Sequence, residues 1–197
     1  MKRVLFSFVV VAIAIVFSGC NKLPQAEIEA AKASLEQAKT AQADLYLQDE
    51  FFALQDSLNA CVVTAEAQKS KMIGNYKEIK EKLNVITTEG TGLVAKTATR
   101  KEEIKSDLAS AQAEISVLLQ ENNQLLEVAP KGKEGKEALD AIRTDIEGIN
   151  TSVSEVPVMI ENGDLLNAQT KVKAAQEKAA AINTELKTVL EKYLKKS

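Results

Sequence analysis

The chain has 197 residues, with 25 Lys or Arg against 28 Asp or Glu, a formal net charge of −3, and neither histidine nor tryptophan. Without histidine there is no Ser-His-Asp triad and no His-bearing zinc site, and interspersed charges of both signs leave no basic patch for nucleic acid. Ala, Glu, Lys, Leu and Gln dominate, all strong helix formers, so an all-α fold is expected.

The first element is a leader. Lys2 and Arg3 precede an apolar run, Val4 to Phe17, the build of a secretory signal. As a helix these 14 residues reach about 21 Å at about 1.5 Å each, short of a bilayer core of about 30 Å. Ser18, Gly19 and Cys20 follow with small side chains. The stretch "FSGC" resembles the lipobox of bacterial lipoproteins, departing from it at Phe17, where that family prefers Leu. The resemblance implies cleavage between Gly19 and Cys20, a diacylglycerol on the Cys20 thiol and acylation of the new amino terminus. Ordinary cleavage and an uncleaved anchor are the competing readings. Two or three acyl chains anchor stably, since each buried methylene contributes about 0.8 kcal/mol and one chain alone is marginal. Asn21 stands where Asp would imply inner-membrane retention, which favours the outer membrane.

The expected organisation is therefore a leader at residues 1–19, a lipidated tether at 20–25 and a single helical domain at 26–197. Losing Lys2 and Arg3 with the leader takes the formal charge from −3 to −5. Beyond Cys20 the aromatics are Tyr46, Phe51, Phe52, Tyr76 and Tyr193, too few for an all-β or α/β enzyme core. With Cys20 acylated, Cys61 keeps the remaining thiol, so an internal disulfide is excluded.

Apolar residues then recur in alternating steps of three and four, the helical signal. The stripes predict about five helices. The first carries Ile28, Ala31, Leu35, Ala38, Gln42 and Leu45. The second runs from Phe51 through Leu54, Leu58, Cys61, Ala65, Gln68 and Met72 to Tyr76, Ile79, Leu83 and Ile86. The third carries Ile104, Leu108, Ala111, Ile115, Leu118, Asn122, Leu125 and Ala129. The fourth carries Leu139, Ile142, Ile146, Ile149, Val153, Val156 and Ile160. The fifth carries Leu165, Ala168, Val172, Ala175, Ala179, Ile182, Leu186, Val189 and Tyr193. Their mean spacing of about 3.5 residues is that of a coiled-coil seam.

Four breaks separate the stripes. "YLQDE" offers Asp49 as an N-cap. "TTEGTG", Thr87 to Gly92, places two glycines where a turn is expected. "APKGKEG", Ala129 to Gly135, combines Pro130 with two more. "ENGD" puts Gly163 at a left-handed C-terminal position and Asp164 at the next N-cap. Pro157 is expected to kink the last turn of the fourth helix, and Gly74 marks a bend or break within the second. Loops this short join antiparallel neighbours, so the expected architecture is an elongated antiparallel bundle of coiled-coil-like hairpins.

The stretches "AEIEAAKASLEQAKTAQADLYLQDEFFALQDSLNAC", "APKGKEGKEALDAI" and "ENGDLLNAQTKVKAAQEKA" resemble bacterial lipoproteins with an Ala-rich, all-helical domain of unknown function. That resemblance implies an envelope location and a helical fold, and it brings neither a reaction nor a ligand. The last stretch also resembles a tetratricopeptide-like hairpin but lacks the Trp-Leu-Gly-Tyr pattern of that repeat. "LEKYLKKS" is similar to the end of the small lipoprotein joined to peptidoglycan through a terminal lysine. Here Ser197 follows Lys196, so the required residue is missing.

No residue pattern supports catalysis. The carboxylates lie between the seam positions, as in "KEEIKSD", where they form solvated faces with ion pairs. No metal or cofactor is implied. Cys61, on an apolar stripe, reads either as a small core hydrophobe or as an intermolecular disulfide in an oxidising envelope. Asn122 and Gln68 interrupt the seams, either to fix register or because they are partly exposed. If Asn122 is buried, Leu in its place is expected to raise the melting temperature.

The functional expectation is a non-enzymatic lipoprotein of the bacterial envelope, on the outer membrane facing the periplasm. It would serve as a spacer, scaffold or docking module, with the membrane, other envelope proteins or its own copies as partners. Two alternatives stand beside it: a module holding a lipid or small apolar ligand between its helices, and a homo-oligomeric coiled coil.

Overall fold

The computed structural model describes residues 23–69, 75–130 and 133–195. Among these residues there is no strand, and the helices are α1 (Gln25–Thr40), α2 (Ala43–Tyr46), α3 (Gln48–Lys69), α4 (Lys77–Val128), α5 (Lys133–Ser154), α6 (Val156–Glu161) and α7 (Leu165–Leu194). Five are substantial; α2 and α6 are single turns of 4 and 6 residues. The all-α helical bundle expected from composition and periodicity is the fold observed. The described residues form two compact units, divided between Val94 and Ala95.

In the first unit, α1, α3 and the start of α4 run up, down and up. Lys80 Nζ of α4 lies 2.9 Å from Glu27 Oε1 of α1. Further along both helices, a Cβ on Gly90 would meet the Ser34 hydroxyl at 2.6 Å, so α1 and α4 are parallel. The connection through α2 is short enough to send α3 back the other way. The core is the apolar stripe of each helix: Ile28, Ala31, Leu35 and Ala38 face Phe51, Leu54, Leu58, Cys61 and Ala65, with Tyr76, Ile79, Leu83, Ile86 and Leu93 completing it. Full burial of one such Leu or Ile is worth about 1.5–3 kcal/mol. Ala31, Ala38 and Ala65 are wholly buried, and their small side chains let the backbones approach.

The second unit repeats this order with the rest of α4, then α5, then α7. Gln176 Nε2 donates to Glu114 Oε2 at 2.8 Å and Lys187 lies 2.8 Å from Glu121, so α4 and α7 are parallel. Lys178 pairs with Asp145 at 2.7 Å and Lys171 pairs with Glu155, which sets α5 antiparallel to α7. Ile104, Leu108, Ile115, Leu119 and Leu126 of α4 are buried, as are Leu139, Ile142, Ile146 and Ile149 of α5 and Leu165, Val172, Ile182 and Leu186 of α7.

Several expected boundaries are corrected. Gly90 and Gly92 do not form a turn, because α4 runs through both. Gly90 sits four residues after Ile86 and three before Leu93, both buried, and so keeps the seam going. Helix α3 ends at Lys69 and α4 begins at Lys77; Met72 and Gly74 lie outside the described residues. Asp49 falls inside the first turn of α3 rather than at its N-cap. The first helix stops at Thr40 because Gln42 turns left-handed, φ 72°, and Leu45 is exposed. Pro157 does not kink a long fourth helix: α5 ends at Ser154, and Pro157 lies in the first turn of α6, where a missing N–H costs nothing.

The Gly163 expectation holds. Its φ is 76°, its N–H donates to Ile160 O at 3.0 Å, and the Asp164 N–H donates to Met159 O at 2.9 Å, the paired bonds of a Schellman ending. Asp164 occupies the N-cap of α7, where no side-chain capping bond forms; its Oδ1 instead accepts from Asn167 Nδ2 at 2.8 Å.

Candidate functional site

Three places could carry function: the start of the helical body, a groove in the first bundle and a polar layer in the second. Gly19 and Cys20 lie outside the described residues. The chain is already packed at Leu23, which rests on the first core, and Pro24 is fully buried. Pro24 holds φ −75°, the value its ring imposes. Its carbonyl accepts the Ile28 N–H at 3.0 Å, and the Leu23 carbonyl accepts the Gln25 N–H at 2.7 Å. Helical order thus begins within five residues of Cys20.

The groove lies between α3 and α4 in the first bundle. It has a volume of about 570 Å³ and is lined by Leu54, Cys61, Ile79, Val85 and Ile86, with Glu78, Glu81, Lys82 and Glu89 along its edge. Two hydroxyls line it as well, and both are satisfied within their own helix: Ser57 donates to Ala53 O and Thr64 to Ala60 O, each at 2.8 Å. Cys61 is buried. Burial pushes its thiol above the ordinary range, with the Lys82 charge pulling the other way. A raised pKa lowers the thiolate fraction, the form that attacks or binds a metal. A disulfide to a second chain would require α3 and α4 to part.

Gln68 does not interrupt the core; it is half-buried and closes the end of the bundle. Its Oε1 accepts the Asn75 N–H at 2.7 Å, and Asn75 Oδ1 accepts the Lys77 N–H at 3.2 Å. The pair satisfies backbone donors where α4 begins.

Asn122 is wholly buried and fully engaged. Its Nδ2 donates to Ala179 O at 2.9 Å, and its Oδ1 accepts from Asn183 Nδ2 at 2.9 Å. Asn183 was not expected, because it sits beside the stripe residue Ile182. Its spacing of four from Ala179 is the signal that finds it. On the rim, Lys187 hydrogen-bonds Glu121 and holds its carboxyl below the ordinary range; burial opposes this, and the Lys187 charge and the Asn183 amide add to it.

Among the described residues no group of three Cys, Asp or Glu is placed to hold a metal ion, and no helix is long and apolar enough to cross a membrane. No family model, curated protein or solved structure matches the chain significantly.

Proposed function

We propose that this protein is a lipid-anchored helical module of the bacterial envelope. Cleavage falls between Gly19 and Cys20, Cys20 carries the acyl chains, and the two bundles serve as a spacer or docking surface for other envelope proteins. The observation that carries this reading is the "FSGC" junction standing directly before a body that is packed from Leu23 onward. The outer membrane, facing the periplasm, is the location that Asn21 favours. Surface contact rather than catalysis is the proposed mode of action, since the hydroxyls and thiol of the groove are buried or bonded within their own helices.

The test is metabolic labelling of bacteria expressing the full chain with an alkyne fatty acid. The wild-type chain is expected to incorporate label and Cys20→Ala to lose it. Equal labelling of both would overturn the reading.

The groove supports a second reading, a binding module for a small apolar ligand. Its lining of Leu54, Ile79, Val85 and Ile86 is apolar, and Val85 is 53% exposed. Native mass spectrometry of the protein purified from its membrane would show a co-purifying mass that Val85→Glu loses. A self-associating coiled coil is distinguished by sedimentation of the chain lacking its first 20 residues.

A further inference from the structure

We infer that the lipid anchor holds one particular end of the first bundle, where α1 begins, α3 ends and α4 begins, against the bilayer surface. This rests on acylation of Cys20 and adds an orientation to it. The sequence alone allows a tether of several residues. In the structure that slack is mostly gone, because Leu23 packs on the core and Pro24 is fully buried. Only Asn21 and Lys22 separate the anchored cysteine from the packed chain. Three residue steps span about 10 Å even when fully extended.

The groups that share this end are fixed by contact. Glu27, in the first turn of α1, pairs with Lys80, and Gln68, near the end of α3, accepts the Asn75 N–H just before α4. The far end, with α2 and the start of α3, is about 30 Å away, from the 22 residues of α3 at about 1.5 Å each.

Charge favours the same orientation. At the near end the described charges balance, Lys69, Lys77, Lys80 and Lys82 against Glu27, Glu66, Glu78 and Glu81, with Glu27 and Glu78 paired to Lys80 and Lys82. The far end carries Asp44, Asp49 and Glu50 against Lys39. An anionic headgroup layer acts on each charge near its surface by about 1 kcal/mol, and so repels the acidic end more than the balanced one.

The experiment uses the full, acylated chain in vesicles of phosphatidylethanolamine and phosphatidylglycerol carrying a headgroup quencher. A fluorophore is placed on Lys77→Cys or on Gln48→Cys, each in a Cys61→Ser background. Label at position 77 is expected to be quenched several-fold more than label at 48. A linker of about ten Gly and Ser residues inserted between Lys22 and Leu23 is flexible enough to abolish most of that difference. Equal quenching at the two positions in an acylated chain, or a difference that the linker leaves untouched, overturns the inference alone. A chain whose Cys20 carries no acyl group overturns the anchoring reading and the inference with it.

Discussion

Asn183 of α7 donates its Nδ2 to Oδ1 of Asn122 on α4 across 2.9 Å, inside a core built mainly of Leu, Ile, Val and Ala. Because Asn122 also donates to Ala179 O, the two amides form a closed layer joining the parallel helices of the second bundle. The partner reverses the expectation for replacing Asn122 alone. Asn122→Leu removes the acceptor of one Asn183 N–H, leaving Glu121 to hold the amide; a buried N–H without an acceptor costs about 1–3 kcal/mol, so the melting temperature should fall. Replacing Asn122 and Asn183 together by Leu should recover most or all of that loss. A double-mutant cycle in urea measures the coupling.

Gly90 and Gly92 stand two residues apart on one helix and should respond oppositely to the same change. At Gly90 a methyl would meet Ser34 Oγ at 2.6 Å and Ser34 Cβ at 3.2 Å. Gly90→Ala should therefore destabilise the first bundle by about 1–3 kcal/mol through overpacking. Gly92 has nothing within 4 Å, so Gly92→Ala should stabilise by about 0.5–1 kcal/mol through helix propensity. Thermal unfolding followed by circular dichroism distinguishes them.

Cys61 should be silent in the folded protein. Its burial predicts slow reaction with an aromatic disulfide reagent until denaturant opens α3 from α4, and a single-chain band on a non-reducing gel. Its raised thiol pKa also gives a sign: the native state retains a proton that the unfolded chain releases. Stability should fall as pH rises past the unfolded thiol value, about 8.5, and the fall should vanish in Cys61→Ala.

Acid should weaken both units through one carboxylate each. For Glu27 burial pushes the pKa up, but the Lys80 hydrogen bond, its own backbone and the Lys80 charge together bring it below the ordinary range. Glu121 is lowered through Lys187. A depressed carboxylate stabilises above its unfolded value, about 4.3, and loses that contribution as pH falls through the folded value. Glu27→Gln should flatten the acid limb of a stability profile. The change should stay under about 1 kcal/mol, because the pair is partly exposed.

Most of the fold was legible in the sequence, since the three-and-four spacing of Ile28, Ala31, Leu35 and Ala38 or of Leu165, Ala168 and Val172 has one sensible reading. The errors have separate causes. Glycines near position 90 were read for their backbone freedom, whereas Gly90 is used for its missing side chain. The buried pair Leu119 and Leu126 was displaced by one residue to Leu118 and Leu125, which are half-buried. A helix of a three-helix bundle faces two neighbours, and its apolar face is too wide to fix the seam from one stripe. Gln42 in a left-handed conformation has no sequence signature, because a non-glycine residue adopts it only when tertiary packing makes up the cost of about 1–2 kcal/mol. At the candidate site, the proposed leader rests on the sequence alone, since its residues lie outside those described. Asn183 was not readable there, because a lone amide beside a stripe takes its meaning from the residue across from it.

The position of Cys61 makes the protein its own stopwatch. With Cys20 acylated as proposed, Cys61 holds the remaining thiol of the sequence, and it is buried where it lines the groove of the first bundle. The rate at which a reagent labels it therefore clocks the breathing of that bundle alone, while loss of helical signal sums over the whole chain. Comparing the two shows whether the halves melt in step, with no engineered residue needed.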